Sequence, residues 1–408
     1  MQQEVNGVLP EERRLRIVFL IGAFFPNPLG ASYSAIRLAK SLREHGMEIS
    51  FIVDSQAEGW EKGGTYEGFP VQSFRLHKPG KWGKLCGLAA FTLYIWRRRR
   101  EVDVFYINGG GYVNLFLGWW AGLVTGWKIC LKMTSDGWDT PDGAVNEKWG
   151  FLVPFFYSRL DGIVAMTNGQ AVKCRQRGWD VLVATIPNGV DTSIYRPVTP
   201  SERQQLRREL ELPADACILI YLGSLGKGKG TDVLFEVWNR LAGQNSSLFL
   251  LVVGDYTGGR ILGVSLADFL SSCGLNPSLL NSKQLRQLGQ VSDAERYLQS
   301  SDILMFPSRR EGFGTVQIEA MACGLVCVAN DLPGVSCDIL PDETVGFRIR
   351  DNRVEDYIRV ISGLVEQPEK REKIGCLARR YVEEYFSMEI VAARYVDFMR
   401  QLVENKRV

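Results

Sequence analysis

Two carboxylates, Glu311 and Glu319, bracket a glycine-rich turn within residues 307–324 (PSRREGFGTVQIEAMACG). An apolar run, 303–306 (ILMF), precedes them and stops at Pro307, after which the glycines lead into a helical pattern. This order predicts a strand, a loop and a helix N-terminus, and a helix N-terminus holds phosphate through its unpaired amides and its dipole. With the helix starting near Gly314, Glu319 lies about 7.5 Å along the axis. A diphosphate gripped by Gly312, Phe313, Gly314 and Thr315 would put an attached ribose at that depth, where a carboxylate accepts hydrogen bonds from its hydroxyls. Glu311 would face the group on the far side of the diphosphate. A plainer reading makes both glutamates exposed acids favoured by the helix dipole. Pro307-Ser308 before them and Gly312-Phe313-Gly314 between them favour the ligand site.

A second loop, residues 223–230 (GSLGKGKG), nearly matches the phosphate-loop pattern through Gly223, Gly228 and Lys229. Gly230 replaces the hydroxyl that would hold magnesium, which argues against nucleoside triphosphate hydrolysis. A phosphate-binding lysine working without a metal is the better reading, against a flexible basic turn. With only two histidines, His45 and His77, a multi-histidine metal site is excluded, and no Asp-x-Asp occurs.

These loops need strands and helices to position them. Residues 16–22 (RIVFLIG) read as a buried strand, 25–30 as a turn-rich loop, 32–44 as a helix and 49–53 as a second strand. Further strands are expected at 102–108, 128–133, 163–166 and 183–186, with the nearly continuous apolar stretch 112–127 as a buried helix. The rhythm restarts after a polar segment, 199–211, with strands at 218–222, 248–253, 303–306 and 326–329. Amphipathic helix follows over 370–408, broken at Phe386-Ser387. Repeated β-loop-α-β units imply doubly wound parallel sheets, which bind ligands at the carboxyl ends of their strands. The expected division is an N-terminal domain over 1–197, a C-terminal domain over 198–385 and a closing helix over 386–408.

At 408 residues, 46% hydrophobic and 23% charged, the chain suits two globular domains. A net charge of +2 gives no drive toward nucleic acid. Nine cysteines without a Cys-x-x-Cys read as reduced thiols, and no secretory leader pattern is found, so a cytoplasmic location is expected.

Taken together, these motifs resemble the family 4 retaining glycosyltransferases of the GT-B fold, over nearly the whole chain. The resemblance rests on Pro307-Ser308, on Glu311-Gly312-Phe313-Gly314 with Glu319 and residues 320–324, on Pro187-Asn188-Gly189-Val190-Asp191 with Pro197, on the 223–230 loop and on Gly254-Asp255. It implies two Rossmann-like doubly wound domains facing across a cleft and a metal-independent transfer from a nucleotide diphosphate sugar to an acceptor hydroxyl. Glu311 would contact the donor sugar, Glu319 the ribose and Lys229 the leaving diphosphate, with Gly30 opposite in the N-terminal domain. The family often carries arginine where this chain has Ser224, so Lys227, Arg309 or Arg310 would supply the charge. Many members also have a histidine where this chain reads Thr134-Ser135-Asp136, which leaves Asp136 to orient sugar or acceptor. These departures keep two rivals in view: a nucleotide-sugar-binding protein weak in turnover, and an epimerase or synthase on the same fold.

Residues 78–100 carry a second signal. Lys78, Lys81 and Lys84 precede an apolar run with Trp96, and Arg97, Arg98, Arg99 and Arg100 close it. Basic ends around an apolar helix suit an anionic membrane surface, so a peripheral enzyme with a carbohydrate or lipid-linked acceptor is expected, in polysaccharide or glycolipid biosynthesis. The alternative is a core helix with a solvated basic end.

Overall fold

The structure, a computed structural model, describes residues 14–22, 24–25, 30–54, 60, 63–74, 81–135, 139–141, 150–243, 246–256 and 265–405. It divides into two compact units. The first holds the chain up to Val164, Cys174–Ala184 and the segment from Ala392 onward; the second holds Ala165–Lys173 and Thr185–Val391. The polar segment 199–211 falls inside the second unit. It forms the helix Pro200–Glu209, opened by a capping box in which Thr199 and Glu202 satisfy each other's backbone amides.

The first unit carries a sheet of β1 (Arg16–Ile21), β2 (Glu48–Asp54), β3 (Gly64–Tyr66), β4 (Phe69–Phe74), β5 (Val104–Asn108), β6 (Lys128–Lys132), β7 (Gly162–Ala165) and β8 (Leu182–Thr185). Their order is β3-β4-β2-β1-β5-β6-β7-β8. Pairing is parallel from β4 through β7, and β3 runs antiparallel to β4. The continuous apolar runs of β1 and β5 follow from burial on both sheet faces.

In the second unit, β9 (Cys217–Leu222), β10 (Leu248–Val253), β11 (Leu285–Leu288), β12 (Ile303–Phe306), β13 (Val326–Asn330) and β14 (Gly346–Ile349) form an all-parallel sheet. Its order is β11-β10-β9-β12-β13-β14. Successive residues of β9 serve different cores. Ile218 and Ile220 join one, while Cys217, Leu219 and Tyr221 join the other. Both sheets reverse strand order once, between β1 and β5 and between β9 and β12, and such a reversal is where doubly wound sheets bind ligands.

Four strands escape the sequence reading. β3 and β4 hold Gly64 and Pro70, residues depleted in strands. β11 (LRQL) and β14 (GFRI) are short and carry arginines that interrupt the apolar pattern. The stretch 112–127 corrects a second expectation. It forms the helix Tyr112–Thr125, ended by Gly126 in the left-handed region at φ 77°. Only one side is buried, and Leu123 stands 64% exposed. On the buried side Gly118 lets the helix lie close to the sheet: a Cβ there would lie 2.3 Å from Ile107 Cδ1 of β5.

Candidate active site

The switch point of the second sheet gathers the chemistry. The loop after β9 carries Lys229 and the loop after β12 carries Glu311, and the Lys229 ammonium meets the Glu311 carboxylate at 2.7 Å. The Glu311 side chain is 13% exposed and that of Lys229 38%, so the lysine is the partner freer to turn toward solvent or a ligand. Below them, the Tyr221 hydroxyl at the end of β9 donates to the Ser224 carbonyl at 2.7 Å. Burial, then the charge of Glu311, pushes the Tyr221 phenol well above its ordinary pKa, so it stays a neutral donor.

Two glycines make the approach possible. Gly230 lies at φ 71°, and a Cβ there would sit 2.0 Å from the Pro307 carbonyl oxygen. Gly314 caps the helix Thr315–Ala322 at φ 91°, a conformation that L side chains rarely adopt. This helix start presents amides without intrahelical acceptors next to Glu311 in the chain.

Arg309 clasps the two loops together. Its guanidinium meets both oxygens of Asp232, at 2.6 and 2.8 Å, and the Lys227 carbonyl at 2.7 Å. Its amide donates to the Gly228 carbonyl at 2.9 Å. The hydrogen bond to Asp232 outweighs the cost of burial and raises the Arg309 pKa. Arg309 therefore sets the geometry of the lysine loop. The Lys227 side chain is exposed, as is that of Arg310, and the latter is unpaired among the described residues.

Behind the loops lies a buried amide network. Asn330 donates to the Ser308 carbonyl at 2.9 Å, and Asn352 donates to the Pro307 carbonyl at 2.9 Å. Tyr357 in turn donates to Asn352. Gln170 reaches the Gly312 carbonyl at 3.0 Å, and Asn188 reaches the Thr315 hydroxyl at 2.9 Å. Phe313 is buried against Phe386, so its ring anchors the loop and only its backbone lies with the loop amides. Glu319 is 5% exposed, which removes it from the class of solvated helix-start acids. Ser224 is half-buried.

Sequence reasoning named Lys229, Glu311, Glu319 and residues 312–315, and the second unit gathers Lys229, Glu311 and the helix start. It missed Tyr221, Asn330, Asn352 and Gln170. Asn188 stood in a motif that was noticed, but nothing in the sequence ties it to Thr315.

In the first unit, Gly30 opens the helix Gly30–Glu44, with open space where a Cβ would be. Asp136 lies outside the described residues. Asp139, which the sequence reading passed over, organises the strand ends nearby. Its carboxylate accepts the amides of Gly110, Thr134 and Ser135 at 2.9, 2.7 and 2.9 Å, and the Thr134 hydroxyl at 2.5 Å. Its carbonyl accepts the buried Tyr157 hydroxyl. A carboxylate a few residues beyond the end of β6 was the available signal. Lys132, at the end of β6, is almost fully buried, and burial lowers its pKa to about 7.

Two doubly wound units, each with one switch point, define the GT-B class of glycosyltransferase folds, and solved members match. HepE of Anabaena (Alr3699), in complex with UDP and glucose, superimposes with a TM-score of 0.76 over 95% of this chain and all of that one, at 20% identity. Sucrose-phosphate synthase from Thermosynechococcus elongatus gives 0.75 over 96% of this chain and all of that one, at 18% identity. The family model for glycosyl transferases group 1 matches residues 202–381, and that for the glycosyl transferase 4-like domain matches 30–189. The chain belongs to the group 1 glycosyltransferases, and it is an enzyme of that kind. Among its relatives, the D-inositol 3-phosphate glycosyltransferase of Xylanimonas cellulosilytica is 23% identical over 408 aligned residues, 92% of this chain and 93% of that protein.

Proposed function

We propose that this glycosyltransferase moves a hexose, with retention of configuration and without a metal ion, from a nucleotide diphosphate sugar to an acceptor hydroxyl. The observation that carries the reading is the Lys229–Glu311 pair at the β9/β12 switch point, one loop ahead of a glycine-capped helix start. In this reading the Lys229 ammonium turns from Glu311 to the leaving diphosphate, helped by the amides of Gly312, Phe313, Gly314 and Thr315. Glu311 then faces the sugar hydroxyls and Glu319 the ribose. The bond from the anomeric carbon to the phosphate oxygen breaks, and its electron pair leaves with the diphosphate. The acceptor oxygen bonds to the oxocarbenium-like carbon from the same face, and its proton passes to the departing phosphate oxygen, so no histidine base is needed. The donor belongs mainly to the second unit and the acceptor to the first; of the first unit's residues, Gly30 is assigned to the donor and Asp136 to the sugar or acceptor.

The UDP and UDP-glucose complexes of HepE make a uridine diphosphate sugar the first donor to try. The inositol phosphate named for the Xylanimonas enzyme is the first acceptor to try. We assign the chain to polysaccharide or glycolipid biosynthesis on the cytoplasmic face of a membrane. Among the described residues no helix is long and apolar enough to cross one. The test is donor turnover in Glu311→Ala and Lys229→Ala, with the anomeric configuration of the product read by NMR. Unchanged rates in both variants reject the assignment, and an inverted product rejects retention.

A further inference from the structure

Three helices of the first unit turn apolar side chains outward. Lys81–Arg97 exposes Leu85, Leu93 and Trp96, and Tyr112–Thr125 exposes Leu123. Val153–Tyr157 and the turn before it expose Phe155 and Phe151, the latter at 70% of its surface. An outward helix face is ordinarily polar, and a contiguous apolar patch marks an interaction surface. Aromatic side chains link the three helices. Trp119 packs on Trp120 at 6.1 Å and on Phe155 at 5.7 Å between ring centres. Trp120 also forms one wall of an open groove of about 490 Å³, otherwise lined by Leu85, Leu88, Ala89, Leu93 and Trp96.

The chemistry of the face says what covers it. Thr92, the hydroxyl in the groove, is already committed: it donates to the Leu88 carbonyl at 2.7 Å and accepts the Trp120 indole at 2.9 Å. The groove therefore suits hydrocarbon. Residues 81–100, 112–128 and 150–160 contain no aspartate or glutamate, in a chain with 46 of them. Cations in the turns that follow two of the helices stand over rings of those helices. Arg99 lies 4.4 Å from the Trp96 ring centre and Arg159 lies 5.2 Å from that of Phe155. Arg97 and Arg100 are exposed and unpaired among the described residues. Apolar bulk, aromatic rings beside arginines and an absence of carboxylates are what a helix needs to lie in an anionic headgroup layer.

We infer that this three-helix face rests on an anionic lipid surface, with a lipid acyl chain seated in the groove. The inference extends the basic segment 78–100 to Leu123, Phe151 and Phe155, which the sequence did not connect to it. It deepens the transferase reading by placing the enzyme where a lipid-linked acceptor resides. It uses none of the donor-site residues, so the two readings fail separately.

The experiment is flotation of the full chain with vesicles of 30% phosphatidylglycerol in phosphatidylcholine, against pure phosphatidylcholine, at physiological salt. The wild type should float with the anionic vesicles alone. Arg97→Gln and Arg100→Gln should each weaken partitioning about fivefold, since a cation near such a surface contributes about 1 kcal/mol. Leu93→Ser with Trp96→Ser, and separately Phe151→Ser, should weaken it about tenfold. UDP-induced thermal shifts should match wild type in every variant and so report intact folding. Absence of wild-type flotation overturns the inference, as does undiminished flotation of Phe151→Ser. A wild-type dimer in sedimentation that Phe151→Ser dissociates also overturns it, since the face would then join two copies of this chain.

Discussion

The two units bring loops to the carboxyl ends of their central strands by different means. In the second unit the bracing is redundant. Arg309 makes four ties to the lysine loop and its helix, Asn330 and Asn352 hold the backbone of Pro307 and Ser308, and Gln170 holds Gly312. In the first unit, among the described residues, one carboxylate, that of Asp139, gathers one amide from the loop after β5 and two from the loop after β6. A distributed brace tolerates the loss of one member. A single hub does not, because several donors lose their acceptor at once, the buried Gly110 amide among them.

The comparison can be broken at several points. The largest effect belongs to Glu311→Ala, which should lower kcat about a thousandfold, with Lys229→Ala close behind. A change under tenfold in steady-state turnover would remove the pair from the chemistry. Next, Asp139→Ala should cost about 3 kcal/mol of stability in urea titrations. Its dissociation constant for UDP, measured by calorimetry, should stay at the wild-type value, and a large shift there would contradict a hub confined to the first unit. Arg309→Ala should be milder because other ties remain. We expect about a tenfold loss in kcat/KM for the donor through misplacement of Lys229, with little loss of stability from so exposed a pair.

The smallest effect concerns Lys132. Folding lowers its pKa from 10.5 to about 7 through burial. The unfolded chain therefore binds more protons than the folded chain between those values, and stability rises with pH across that window while staying flat below it. From pH 7 to 8 the gain should be about 1 kcal/mol. Lys132→Met should abolish that gain in paired denaturation curves; an unaltered slope would show that Lys132 is charged in the folded state.

Much of the candidate site was legible because its residues are local in sequence. Glu311, Gly314 and Glu319 fall within one loop and helix start, and Lys229 lies in a glycine loop of its own. The strands at the centre of each sheet were legible because burial on both faces demands unbroken apolar runs. Strands β3, β4, β11 and β14 were not: β3, β11 and β14 lie at sheet edges and β4 lies next to one, where Pro70 or Arg286 blurs the pattern. What stayed hidden is the long-range pairing of polar side chains. Gln170 bonds a carbonyl 142 positions away and Asn352 one 45 positions away, and no spacing rule reports such partners. Arg309 was read as a spare charge, whereas the structure occupies it with Asp232.

The last helix, Met388–Glu404, carries a consequence for how the chain is made. From Ala392 it belongs to the first unit. Its Tyr395 hydroxyl meets that of Tyr106, and Leu402 and Phe398 press so closely on Gly162 that a Cβ there would lie 2.7 and 2.8 Å from them. The ribosome adds these residues only after the entire second unit has been synthesised. The unit begun first is thus closed last: β1 to β7 must wait, sheltered or loosely collapsed, for a helix synthesised after more than two hundred intervening residues.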